Sequence, residues 1–142
     1  QAQIMQLMGK IREETKTAII LITHDLGVVA NLADQVAVMY AGKVVEKGTV
    51  RDIFYKSAHP YTKALLKSLP TIDTKKEEEL ISIPGTPPDL YAPPQGCGFA
   101  SRCEHCMKIC QANQPPVFEL GEGHTASCWR LHPDFPGKKE EK

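Results

Sequence analysis

The 142-residue chain carries seventeen basic and seventeen acidic side chains, so its formal net charge is zero. That balance gives no electrostatic reason to expect nucleic acid or an anionic membrane surface as a partner. With 42% hydrophobic residues the chain can bury a core, and its length suits one ordinary domain or two small ones.

The N-terminal QAQIMQLMGKIREE is amphipathic rather than a basic stretch followed by an unbroken apolar one, so no secretory signal is expected. The longest apolar runs, AIILI and VAVMYA, fall far short of the roughly 18 residues needed to span a bilayer, and the chain reads as soluble. It opens on Gln1, already inside a helical pattern, which suggests a piece of a longer protein. Ile4, Leu7, Met8 and Ile11 recur at the spacing of one helix face and predict a helix packed on a sheet. TAIILI, residues 17–22, is a continuous, β-branched apolar run and predicts a strand covered on both faces. A helix followed by such a strand points to an α/β layer.

Thr23 or Asp25 can cap a helix running through LGVVANLA, because a short oxygen-bearing side chain accepts a bond from a free first-turn N–H. DQVAVMYAGKVVEKG reads as two strands meeting at Ala41-Gly42, where glycine supplies a backbone angle that other residues adopt reluctantly. Thr49 to Asp52 resembles a capping box that opens a short helix. Pro60 suits the first turn of the next helix, YTKALLKSL, and Pro70 ends it. From residue 71 the texture changes: TIDTKKEEE reads as a solvated connector or helix end. Five of the eleven prolines then fall between Pro84 and Pro94, which favours extended, turn-rich chain. The expected division is therefore 1–70, a connector over 71–96, and a cysteine-rich stretch over 97–142.

All five cysteines, Cys97, Cys103, Cys106, Cys110 and Cys128, lie in that last part. An odd number beside an intracellular-looking segment favours metal ligation over disulfides, with free thiols as the remaining alternative. Thiolates suit zinc or iron–sulfur clusters, and Pro115 and Pro116 can turn the chain so that Cys128 returns to the others. His105 and His124 add a zinc-like possibility. Few periodic apolar residues are available here for a separate core, so a bound metal or cluster would supply much of the cohesion.

LITHDLG, residues 21–27, puts His24 at the point where a buried strand would emerge. Open α/β sheets bind ligands outside the carboxyl ends of their strands, and an imidazole there can donate to a phosphate oxygen or orient a water. The run ITHDLGVVANLADQVAVMYAGKVVEKG, followed by HPYTKALL at residues 59–66, resembles the end of the nucleotide-binding subunit of ABC transporters. More specifically it is similar to the ATPases of oligopeptide and dipeptide importers and their nickel-importing relatives.

The resemblance covers nearly the whole chain. It implies an α/β fold: the C-terminal part of a P-loop NTPase sheet-and-helix layer followed by a small, irregular cysteine-rich module. It places Gln1 just after the D-loop and makes His24 the catalytic switch histidine, contacting the γ-phosphate of ATP across a nucleotide-sandwich dimer. It also implies ATP and Mg²⁺ as cofactors and ATP hydrolysis coupled to solute import. The implied partners are membrane-spanning permease subunits, a second ATP-binding subunit in a homo- or heterodimer, and indirectly an external solute-binding protein, at the cytoplasmic face of the membrane. The four cysteines of such importers carry over to Cys97, Cys103, Cys110 and Cys128, implying a [4Fe-4S] cluster with zinc as the alternative. Cys106 departs from the pattern; it forms a C-x-x-C with Cys103, stands one helical turn from Cys110, and is a possible alternative ligand.

The sequence contains no G-x-x-x-x-G-K-[ST] phosphate loop, since the GK pairs at residues 9, 42 and 137 lack the upstream glycine and the following hydroxyl. An LSGGQ-type stretch and a strand ending in Asp-Glu are missing as well. Without them the chain by itself is expected neither to bind ATP tightly nor to hydrolyse it. The rival reading is a metal- or iron–sulfur-binding regulatory module on an α/β scaffold.

Overall fold

Gln35–Tyr40 (β1) and Lys43–Thr49 (β2) form the antiparallel hairpin expected from their alternating, β-branched sequence. Ala41 and Gly42 both take positive φ, 47° and 75°, which is the two-residue loop whose twist matches that of the flanking strands. A bulge between Val38 and Met39 shifts the register midway along the pair. The computed structural model describes residues 2–69 and 83–135. Pro70 and the TIDTKKEEE run lie outside the described residues.

On its other edge β2 pairs with β4 (His124–Ala126), through Glu46↔Ala126 and Lys47↔Thr125, and β4 pairs with β3 (Phe118–Gly121). The sheet order is β1-β2-β4-β3, antiparallel throughout. Short hairpin links join β1 to β2 and β3 to β4, whereas the β2–β4 pair brings together strands far apart in sequence. The cysteine-rich stretch thus adds two strands to the sheet that the hairpin begins.

Short helices follow the sheet. Thr49 caps α3 (Val50–Lys56) with the full capping box: its hydroxyl accepts from the Asp52 N–H, and the Asp52 carboxylate accepts from the Thr49 N–H. α4 (Pro60–Lys67) begins with Pro60 in the first turn, as expected, and is capped by His59. α5 (Lys108–Ala112) carries Cys110, and single 3₁₀ turns occupy Ala100–Arg102 and Trp129–Leu131.

The core gathers Val38, Tyr40, Val45, Ile53 and Phe99, with Tyr61, Leu65, Ile83, Cys97 and Cys103 packed against it. Tyr40, Tyr61 and Phe99 form an aromatic triangle with centroid separations of 4.6 to 5.3 Å. The Pro-rich stretch runs without helix or strand, as its composition predicts, and Arg102 staples it down. That guanidinium donates to the carbonyls of Ile83 (2.8 Å) and Pro84 (2.9 Å) and to the Tyr40 hydroxyl (3.3 Å).

Two expectations at the N-terminal end are corrected. Residues 17–22 are not a strand: Ile20 and Ile22 are 93% and 95% exposed, and none of the described segments pairs with this one. A strand is stable only when its backbone groups find a ladder, and apolar patterning cannot supply one. The preceding helix does form, as α1 (Ala2–Thr15), but its apolar residues Ile4, Leu7 and Ile11 are exposed, with no sheet among the described residues covering them. α1 is instead tied to the end of α2 (Leu26–Leu32), where Arg12 donates to the Leu32 carbonyl (3.2 Å) and pairs with Asp34 (3.0 Å).

Candidate functional site

His24 lies on an exposed bend between the irregular segment 16–23 and α2. The next residue, Asp25, is the helix cap that its side chain predicts: Oδ1 accepts from the N–H groups of Gly27 (2.8 Å) and Val28 (3.2 Å). Thr23 contributes one step earlier, its hydroxyl accepting from the Asp25 N–H at 3.0 Å. His24 is therefore presented beside the first turn of a short helix by a cap that fixes the chain direction there. It is not among the residues lining the pocket that the cysteines border.

The cysteines of the expected quartet do converge. Cys97, Cys103, Cys110 and Cys128 all border one narrow, largely apolar pocket whose lining also includes His59 and Phe99. Local chain geometry explains how residues so distant in sequence meet. The Cys97 N–H donates to the Cys110 carbonyl at 2.7 Å, joining the loop after the prolines to α5. Gly96 makes that approach possible, because a Cβ there would collide with the Cys110 carbonyl oxygen. Cys128 returns by the β3–β4 hairpin, and the Trp129 indole N–H fixes it by donating to the Asn113 carbonyl at 3.0 Å.

Burial is the main influence on these thiols. It raises Cys97 and Cys128 above the ordinary thiol range and pushes Cys103 up to about 11, while neighbouring sulfurs add to the effect. Backbone N–H groups oppose it: those of Phe99 and Ala100 at Cys97, of His105 at Cys103 and of Arg130 at Cys128. Cys106 stands near enough to Cys97 and Cys103 to influence both, yet its thiol contacts its own loop, at the Met107 carbonyl (3.6 Å), and does not line the pocket.

Among the described residues no three His, Cys, Asp or Glu side chains are disposed to hold one metal ion. The iron–sulfur and zinc expectations and the reading as a free-standing metal module therefore find no support among the described residues. His124 is also removed from the zinc candidates, because it is buried in β4 against Glu46 rather than at the thiols.

Sequence reasoning missed that Glu46. It is 1% exposed and accepts from the N–H groups of Ala58 (2.7 Å) and His59 (3.0 Å) and from His124 Nε2 (2.9 Å). One carboxylate thus joins β2, the start of α4 and β4. The available signal was a lone acid inside VVEKG, in a strand otherwise apolar inward. His59 was quoted only as part of HPYTKALL, but it is 1% exposed and its Nδ1 accepts the Tyr61 N–H at 3.1 Å. Burial holds His59 down at about 4 despite the opposing pull of Glu46, so the ring is neutral near pH 7.

Residues 45–110 match the family described as oligopeptide/dipeptide transporter, C-terminal region. The chain is 56% identical over 136 residues to the oligopeptide transport ATP-binding protein OppD of Bacillus subtilis, covering 96% of this chain and 38% of that protein. It is 52% identical over 136 residues to the dipeptide transport ATP-binding protein DppD of Lactococcus lactis, with 96% and 39% covered. With OppD of Salmonella typhimurium it shares 48% over 130 residues, covering 92% and 38%. The chain thus spans less than two fifths of the length of these curated relatives, at 38 to 39%. By this likeness, which runs through the His24 bend, the hairpin, the HPY helix and the thiol pocket, the chain belongs to the family of oligopeptide and dipeptide transport ATP-binding proteins and holds its C-terminal region.

Proposed function

We propose that this chain acts within an ATP-binding subunit of a peptide-importing ABC transporter. The observation that carries the reading is the 56% identity to an oligopeptide transport ATP-binding protein, sustained over 96% of the chain. In this reading His24, on its exposed bend, contacts the γ-phosphate of ATP and orients the attacking water. The phosphate loop, whose hydroxyl would hold Mg²⁺, and the remaining P-loop NTPase layer would come from other parts of the subunit. A second ATP-binding subunit completes the nucleotide sandwich, and permease subunits receive the motion. An external solute-binding protein delivers peptide. No helix among the described residues is long and apolar enough to cross a membrane, which fits a peripheral place on the cytoplasmic face.

The thiol pocket belongs to the same proposal. Four cysteines line it beside His59 and His105, with backbone N–H groups directed at three of the four, and thiolates of this number suit an iron–sulfur cluster. A four-iron cluster also holds its thiolates farther apart than a single ion does. Cys97, Cys103, Cys110 and Cys128 would hold it, and Cys106 would not. The cluster would supply cohesion between the proline-rich loop, α5 and the β3–β4 hairpin.

Two experiments test the reading. In the assembled transporter, His24→Ala should abolish most ATP hydrolysis while nucleotide binding persists; unchanged turnover would reject the role of His24. After anaerobic purification, about four irons and four acid-labile sulfides per chain are expected, and a colourless, iron-free protein would reject the cluster.

A further inference from the structure

We infer that a cationic groove along α4 is a docking site for an acidic segment of a partner protein, one in which carboxylates are interspersed with apolar side chains. The inference is independent of the cluster and of the role given to His24.

The groove has a volume of about 480 Å³. Pro60, Lys63, Ala64 and Lys67 line it at the i, i+3, i+4, i+7 spacing of one helix face, so it follows α4 for its whole length. Ile83, Pro84 and Phe99 add to the apolar lining, and the two 3₁₀ turns supply Arg102 and Arg130. Four permanent cations therefore share the groove with one carboxylate, Glu104, which stands 3.4 Å from His105. Lys63 and Lys67 are exposed, and none of the four cations forms an ion pair with a described residue. Arg102 spends its N–H groups on two carbonyls and a hydroxyl, while Arg130 lies over the Phe135 ring at 5.8 Å. Those contacts fix both guanidinium groups without cancelling their charge.

Two lysines one turn apart repel each other on a helix. A chain whose formal net charge is zero has nevertheless collected four uncompensated positive charges in this one place. Charge complementarity selects an anion as the occupant. The apolar lining narrows the class: a free phosphate has no use for Ala64, Ile83 and Phe99, whereas a peptide can set carboxylates against the lysines and arginines and apolar side chains against these three. A bilayer surface, being flat, would meet the rim of a groove rather than fill it.

The test is fluorescence anisotropy of the full chain with a labelled peptide of glutamate and leucine. Beside it run one peptide with every glutamate replaced by glutamine and one with every leucine replaced by glycine, and the melting temperature of each protein is recorded. The glutamate–leucine peptide should bind, more weakly as salt rises. Its glutamine form should lose about tenfold or more in affinity, and its glycine form several-fold. Lys63→Glu with Lys67→Glu changes two exposed side chains and leaves the Arg102 contacts intact, so it should weaken binding about tenfold or more at an unchanged melting temperature. Should that double variant melt early, Lys63→Gln with Lys67→Gln takes its place, with a several-fold loss expected. A wild-type chain that does not bind the glutamate–leucine peptide overturns the inference, as does equal binding by the wild type and a folded lysine variant. A glycine form that binds as tightly as the leucine form contradicts it too, because the apolar lining would then play no part. Inorganic phosphate and phosphatidylglycerol vesicles complete the probes: lysine-dependent binding of either one in place of the peptide would make this a phosphate site and reject the peptide partner.

Discussion

Glu46 joins three elements through three hydrogen bonds, and its removal leaves two backbone N–H groups and a histidine ring facing an apolar gap. Glu46→Leu should therefore cost about 3–5 kcal/mol, as breaking one side of a buried polar pair does. Urea unfolding of the two proteins reads this directly, and a loss below about 1 kcal/mol would show that the contact is incidental. His59 gives a pH signature. Its folded-state value near 4 lies below the ordinary 6.5, so between those values the unfolded chain binds a proton that the folded chain refuses. Stability should be complete above 6.5 and fall as the pH drops through that window, by about 3 kcal/mol in all. Denaturant midpoints measured above and below the window test it, and His59→Asn should flatten the dependence.

Among the elements, α3 and the Gly96 loop make distinct expectations. Thr49→Ala removes one half of the capping box and should cost about 1 kcal/mol without altering the thiol pocket, as read by thermal melting. Gly96→Ala forces a methyl onto the Cys110 carbonyl, so it should cost more, about 1–3 kcal/mol, and speed the reaction of the cysteines with a thiol reagent. Equal reactivity in the two variants would contradict the role given to Gly96. The local signals that worked share one property: each is satisfied within a few residues. Asp25 reaches Gly27 and Val28, Thr49 and Asp52 close on one another, and Ala41-Gly42 sets its own hairpin. TAIILI failed because strand formation depends on partners elsewhere, and Ile20 and Ile22 find none among the described residues. Glu46 was overlooked for the complementary reason: its three donors lie twelve to seventy-eight residues away, at distances no local pattern encodes.

In the molecule as a whole, the apolar side chains of Ile4, Leu7, Ile20 and Ile22 are exposed on one side of the thiol-bearing half's sequence, while the core is built from residues on both sides of the charged segment. That the cysteines meet was legible from their spacing and from the turn at Pro115 and Pro116, but which four form the quartet came only from the family resemblance, and spacing alone left zinc, cluster and disulfide open. The same resemblance located His24, where a single histidine on a bend carries little information of its own. The sequence holds no phosphate loop, so calorimetry on this chain by itself should detect no micromolar ATP binding. The decisive experiment is ATP turnover by the assembled transporter in vesicles, comparing wild type with His24→Ala at saturating nucleotide. A loss of about a hundredfold or more with nucleotide binding retained is the predicted result, within the range expected when a group acting on the transferring phosphoryl or its water is removed. Turnover within about twofold of wild type would contradict the assignment of His24 and, with it, the proposed place of this chain at the nucleotide.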